Sequence, residues 1–132
     1  MIEILPHTAD VRVRISAGSL AELFSEAMKA MFIVLAPGEP EGPEVHLRFE
    51  VDSSDRTTLL VDLLNEILVA ALTRKEAYDA LSVEFRGATT LSATARGRGV
   101  RAFGDDVKAV TYHEAEVREE GGTWSSLLVF DV

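Results

Sequence analysis

Leu59-Leu60-Val61-Asp62-Leu63-Leu64-Asn65-Glu66-Ile67-Leu68 is the stretch that decides how this chain folds. Its apolar residues, continued by Ala71 and Leu72, return at steps of three and four. That spacing gathers them into one broad stripe on a helix and leaves Asp62, Asn65 and Glu66 along a polar edge. A helix with one apolar stripe must bury it against another layer, and the flanking sequence supplies that layer. Just upstream, Val45-His46-Leu47-Arg48-Phe49-Glu50-Val51 alternates apolar and polar at period two. It reads as a strand whose His46, Arg48 and Glu50 face outward. Ser53 to Asp55, between the two, offers helix N-caps.

Moving toward the N-terminus, Ala36 to Pro43 carries three prolines and two glycines and reads as a loop. Before it, Ser19 with Glu22 forms a capping-box pattern. Leu20, Leu23, Phe24, Ala27, Met28, Met31 and Phe32 then follow at helical steps, an amphipathic helix of about four turns whose Met-Phe stripe is core packing. Val11 to Ser16 alternates as a half-buried strand that puts Arg12 and Arg14 on one solvated face, and Ile2 to Leu5 is a short strand ended by Pro6.

Toward the C-terminus, Leu81-Ser82-Val83-Glu84-Phe85 and Leu91-Ser92-Ala93-Thr94-Ala95 read as two strands joined near Gly87. Arg96 to Gly104 is a glycine- and arginine-rich connection. Val110 to Arg118 and Thr123 to Val132 form a hairpin turned at Gly121-Gly122. This order gives an α+β fold, two helices packed on a mostly antiparallel sheet, as a single compact domain over residues 1–132. A chain of 132 residues is long enough to build a core without staples.

Composition narrows the chemistry. There is no cysteine, so disulfides, zinc-thiolate sites and thiol catalysis are excluded. No apolar run approaches the roughly 20 residues of a membrane span. The N-terminus lacks the basic-then-apolar layout of a signal peptide, which predicts a cytoplasmic protein. With 13 basic and 22 acidic residues the net charge is −9. Such a chain is repelled by a phosphate backbone and is better suited to a cation or a basic protein partner.

Candidate chemistry collects at the two ends. Leu5-Pro6-His7-Thr8-Ala9-Asp10-Val11 sets an imidazole, a hydroxyl and a carboxylate after a strand-breaking proline. Asp10 reads either as a turn cap or as a carboxylate ligand for an oxygen-preferring cation. His7 reads as an orienting hydrogen-bond partner, a ligand or a base. Leu127-Leu128-Val129-Phe130-Asp131-Val132 stays apolar up to its last two residues, so the terminus is held in the sheet. An aspartate beside a pinned α-carboxylate concentrates negative charge, which is offset by a cation or simply solvated at the sheet edge. If the ends meet, Asp10, Asp131 and the Val132 carboxylate make a site for a hard metal ion.

Lys108-Ala109-Val110-Thr111-Tyr112-His113 packs a cation, hydroxyls and an imidazole at a strand entrance. It serves acid–base chemistry or is one exposed strand, with Lys108, Val110 and Tyr112 on one face and Thr111 and His113 on the other. The run Arg96 to Arg101 is the one local basic patch, but it lacks the strand-loop-helix setting of a phosphate cradle. No serine sits in a nucleophile-elbow sequence.

Four of these motifs together resemble the archease family. His7-Thr8-Ala9-Asp10-Val11 resembles its N-terminal signature, and the Leu59–Leu68 stretch resembles its central helix. Lys108 to His113 and Val129-Phe130-Asp131-Val132 resemble its C-terminal hairpin. The motifs stand in the family's order and span the chain from end to end. The resemblance implies a protein cofactor, not an enzyme, that activates an RtcB-type RNA ligase by promoting its guanylylation and multiple turnover in tRNA splicing and RNA repair. It implies a divalent metal (Ca, Mg or Mn) at Asp10, Asp131 and Val132. His7, Lys108 and His113 are candidate contacts to the ligase, through which alone RNA is met. Two departures from the pattern stand out: arginine at position 12 where a small residue is usual, and Arg96-Gly97-Arg98-Gly99-Val100-Arg101 where the family commonly has a Gly-Glu pair and a histidine. Two other classes compete, a small metal-dependent phosphoester hydrolase and an RNA-binding or chaperone-like module.

Overall fold

The computed structural model of the protein describes residues 1–5 and 10–132. Pro6 to Ala9, and with them the expectation placed on His7, lie outside the described residues. The elements run β1 (Ile2–Leu5), β2 (Asp10–Ala17), α1 (Leu20–Leu35), β3 (Pro40–Asp52), α2 (Arg56–Arg74), β4 (Glu76–Phe85), β5 (Thr90–Val100), β6 (Ala109–Thr111), β7 (Arg118–Glu120) and β8 (Thr123–Asp131). Among the described residues all strand pairs are antiparallel, as expected, and they form two sheets where the sequence reading had one. The larger sheet has the order β1-β2-β8-β6, with β7 also on β8; the smaller has the order β3-β5-β4.

Both helices form where the periodicity puts them. Ser19 caps α1 by accepting the Glu22 N–H at 3.2 Å, and Asp55 caps α2 by accepting the Thr58 N–H at 2.8 Å. Each helix ends on a left-handed residue, Ala36 at φ 51° and Lys75 at φ 54°. The Met-Phe stripe of α1 and the leucines of α2 are buried, apart from Leu72, which is 40% exposed. Val13, Ile15, Leu128 and Phe130 of the larger sheet join Phe49, Val51, Leu91 and Ala93 of the smaller one in the same cluster, with both helices between. One core therefore serves both sheets.

Three boundaries differ from the sequence reading. The proline-rich loop ends sooner than expected, because β3 begins at Pro40 and absorbs a bulge between Glu41 and Glu44. The glycine- and arginine-rich connection is strand as far as Val100. It pairs with β4 around a second bulge, where Asp79 is the extra residue between Tyr78 and Ala80. Lastly, the first arm of the C-terminal hairpin is broken in two: β6 stops at Thr111 and β7 starts at Arg118, with Glu114 at φ 62° between them. The turn itself falls at Gly121-Gly122, both at positive φ.

Candidate functional site

The start of β2 meets the end of β8, while Met1 lies at the other end of β2, its amino group donating to the Ser16 carbonyl at 2.8 Å. In the β2–β8 register Asp10 lies directly opposite Asp131, and on the far side of β8 Ala109 of β6 is also opposite Asp131. Directly opposed residues of an antiparallel pair point to the same face, with their Cβ atoms roughly 4.5–5.5 Å apart. Two carboxylates are thus neighbours at the end of the sheet, and the chain's terminal carboxylate follows on Val132, which is 41% exposed. The Lys108 N–H donates to the Asp131 carbonyl at 2.7 Å, which fixes the lysine's backbone at the same corner. Among the described residues no three His, Cys, Asp or Glu side chains come together as a metal cage. The side-chain donors at this corner are therefore Asp10 and Asp131.

The Lys108–His113 motif is built differently from a plain exposed strand. Val110 is buried whereas Lys108 and Tyr112 are exposed, so those three residues do not share a face. The reason is that only Ala109–Thr111 is strand, and alternation ends with it. What holds this short strand is Asn65 of α2. Its Oδ1 accepts the Val110 N–H at 2.9 Å and its Nδ2 donates to the Val110 carbonyl at 2.9 Å, so a side-chain amide stands in for a neighbouring strand. Sequence reading saw Asn65 only as part of a polar helix edge. The available signal was an amide, able both to donate and to accept, set in a run of apolar and acidic residues.

Beyond the strand, the Tyr112 hydroxyl donates to the Asp62 carboxylate, which also accepts from the Ser53 hydroxyl at 2.6 Å. The hydrogen bond to Asp62, then burial, raises the Tyr112 pKa, which favours the protonated phenol that makes this tether. His113 is 77% exposed and lies 3.9 Å from Glu114. Glu114 takes the Arg12 guanidinium at 2.6 Å, tying the turn after β6 back to β2. Arg12 is thus in an ion pair and not merely solvated, and Arg14 pairs with Glu3 at 3.0 Å.

The basic run is also occupied. Arg96 faces Glu44 at 3.7 Å, Arg101 faces Glu41 at 3.3 Å, and Arg98 donates from Nε to the Gly42 carbonyl at 2.9 Å. Each guanidinium is spoken for by the bulged start of β3, which leaves a poor patch for phosphate.

The fold and this corner define a class: a small antiparallel two-sheet domain, with two helices in its core and paired acids where the start of β2 faces the end of β8. Comparison with known proteins gives that class a family. The model of the archease protein family matches residues 2–132, and the chain belongs to that family. It is 32% identical to the protein archease of Methanopyrus kandleri over 143 residues, covering 98% of each chain. It is 30% identical to that of Methanosarcina mazei over 138 residues, covering 98% of this chain and 94% of the relative. The solution structure of Methanobacterium thermoautotrophicum protein 1598 superposes with a TM-score of 0.77 at 28% identity, over 99% of this chain and 98% of that one. The fold also matches an archease from Thermotoga maritima, described as a possible chaperone, with a TM-score of 0.73 at 22% identity over 100% of this chain and 98% of that one. Among the described residues no helix is long and apolar enough to cross a membrane.

Proposed function

We propose that this chain is a protein cofactor, without catalytic chemistry of its own, that activates an RtcB-type RNA ligase. In that role it promotes guanylylation of the ligase's active-site histidine and so allows multiple turnover in tRNA splicing and RNA repair, in the cytoplasm. The observation that carries the reading is the register of Asp10, at the start of β2, against Asp131, at the end of β8, in a chain of the archease family.

The donor set suits a hard ion. Asp10, Asp131 and the Val132 carboxylate offer oxygen alone, the preference of Ca²⁺, Mg²⁺ and Mn²⁺. Like charges directly opposite on a sheet repel, and a divalent cation between them removes that cost. Bound at these acids, such an ion would supply positive charge toward phosphate or carboxylate oxygens of a partner. The chain's own part is to hold the acids together on a three-strand junction and to present Lys108 beside them. Lys108 contacts a phosphate or a ligase carboxylate, with His7 and His113 as the other contacts, and RNA is met only through the ligase.

The test is RNA ligation by the cognate ligase with substrate in excess, with this protein, its Asp10→Ala variant, or neither. Product well beyond one equivalent of ligase only with the wild-type protein supports the role and its dependence on the acidic corner. Equal stimulation by Asp10→Ala removes the corner from the mechanism. If the ligase completes a single turnover and neither protein extends it, the cofactor reading is wrong.

A further inference from the structure

Among the described residues the smaller sheet has two outer strands, β3 and β4, and the longer of them is β3. β3 pairs with β5 on one side and, among the described residues, with no strand on the other. Folded proteins guard such edges with prolines, bulges or short strands. In β3 those guards, Pro40, Pro43 and the bulge, all sit at its beginning, and from Glu44 to Asp52 the strand runs on without them.

Beside the unguarded part lies a groove of about 750 Å³, walled by β3 and α2. Its floor is apolar, with Phe49 and Val51 from the strand and Val69 and Ala70 from the helix. Val69 is 64% exposed, an uncovered aliphatic side chain on a helix whose other large apolar residues are mostly buried. The rim is acidic. Asp52, Asp62 and Glu66 line it against one cation, Arg74, which Glu76 already engages at 3.0 Å. Glu50 also lines it but is matched by Arg48 at 2.8 Å. Burial and the nearby Asp62 charge raise the Glu66 pKa, the mark of a carboxylate short of positive partners.

We propose that this groove takes an extended, basic segment of a partner protein, added to β3 as a fourth strand of the smaller sheet. Strand addition satisfies the free backbone edge, while alternate side chains of the guest enter the groove. An apolar residue there covers Val69 and Ala70, and lysine or arginine flanking it meets Asp62 and Glu66. A second copy of this chain is a poor guest, because a molecule of net charge −9 would bring acids to acids. A nucleic acid is excluded by the same sign. This inference does not rest on the ligase reading, since it concerns a different edge and names no ligase.

The experiment is a titration of the isotope-labelled full chain with a short synthetic peptide alternating lysine and valine, followed by backbone NMR. A glutamate–valine peptide serves as its counterpart. Shifts confined to Glu44–Asp52 and Asp62–Arg74, with slowed amide exchange along β3, are expected for the lysine peptide alone. Binding should weaken with added salt and fall by about tenfold for Glu66→Lys. Val69→Lys tests the apolar floor separately and should also weaken it, with far-UV circular dichroism confirming that both variants fold. Equal binding of the glutamate peptide, full binding by Glu66→Lys, shifts at another surface or none at millimolar peptide would each overturn the proposal. Self-association of the free protein through β3, seen as concentration-dependent broadening there, would assign the edge to a second copy instead.

Discussion

Asp10 and Asp131 face each other on neighbouring strands, and the metal proposed for them makes a prediction at the scale of single residues. Opposed like charges on neighbouring strands cost roughly 0.2–1 kcal/mol, so the pair is kept at some expense to the metal-free protein. Asp131→Asn should therefore raise the melting temperature slightly in chelator at low salt. Wild-type protein should gain stability on adding Ca²⁺ or Mn²⁺, and the variant should gain much less, because only a ligand of the native state stabilises it. Equal gains for both proteins in a thermal-shift titration would take the metal away from this corner. Glu66 offers a second test with a definite sign. Burial, then the Asp62 charge, raises its pKa above the ordinary 4.5, so the folded state binds its proton more tightly than the unfolded state does. The stabilising contribution is full below the unfolded value and is lost as pH rises through the folded one. Glu66→Gln should then melt higher than wild type near neutral pH. The difference should vanish as pH falls through the carboxylate range, and a difference independent of pH would mean that charge is not its cause.

At the scale of elements, β6 shows how little strand is needed when a helix supplies the missing neighbour. Asn65 holds both backbone groups of Val110, and leaving a buried donor or acceptor unpaired costs about 1–3 kcal/mol. Asn65→Ala should lower stability by roughly that range or more and should speed amide exchange at Val110 before it does so in the core of α2. Uniform exchange across both elements would show that the amide does not hold the strand. The same scale explains what the sequence concealed. Helices α1 and α2 were legible because a stripe of side chains and a capping residue are local signals, and the placing of Asp10 and Asp131 at strand ends because each adjoins an apolar run, Asp10 opening β2 and Asp131 closing β8. The second half of strand β5 was not, because Gly97 and Gly99 look like a linker. In the structure Gly97 lies opposite Tyr78 at the Asp79 bulge, where a Cβ would run into the Ala77 carbonyl oxygen. The glycine is there for close backbone approach within a sheet, a demand made by a partner strand some twenty residues away. The break after Thr111 was hidden for a related reason: Tyr112 and Glu114 are bound by Asp62 and Arg12, partners distant in sequence.

For the whole molecule, the question is whether two sheets unfold as one. They share no strand, which by itself would allow two separable units. The core argues otherwise, since leucines of α2 sit in a cluster that includes Val13 and Phe130 from one sheet and Phe49 and Leu91 from the other. Removing either sheet would expose that helix stripe to water, so neither half retains a closed apolar layer alone. The chain carries its own probe, because its single tryptophan, Trp124, is half-buried in β8 of the larger sheet with the Arg56 guanidinium 5.1 Å from its ring centroid. Tryptophan fluorescence therefore follows the larger sheet and the start of α2, while far-UV circular dichroism follows both helices and both sheets. In urea the two signals should fall on one transition, as for a two-state domain of this size. Leu63 is fully buried in α2. Leu63→Ala should cost about 2–5 kcal/mol and shift both curves together with little change in slope. A variant that moved the circular dichroism curve and left the tryptophan curve in place would mean that the larger sheet stands without the helix, and the shared core would then be contact without cooperation.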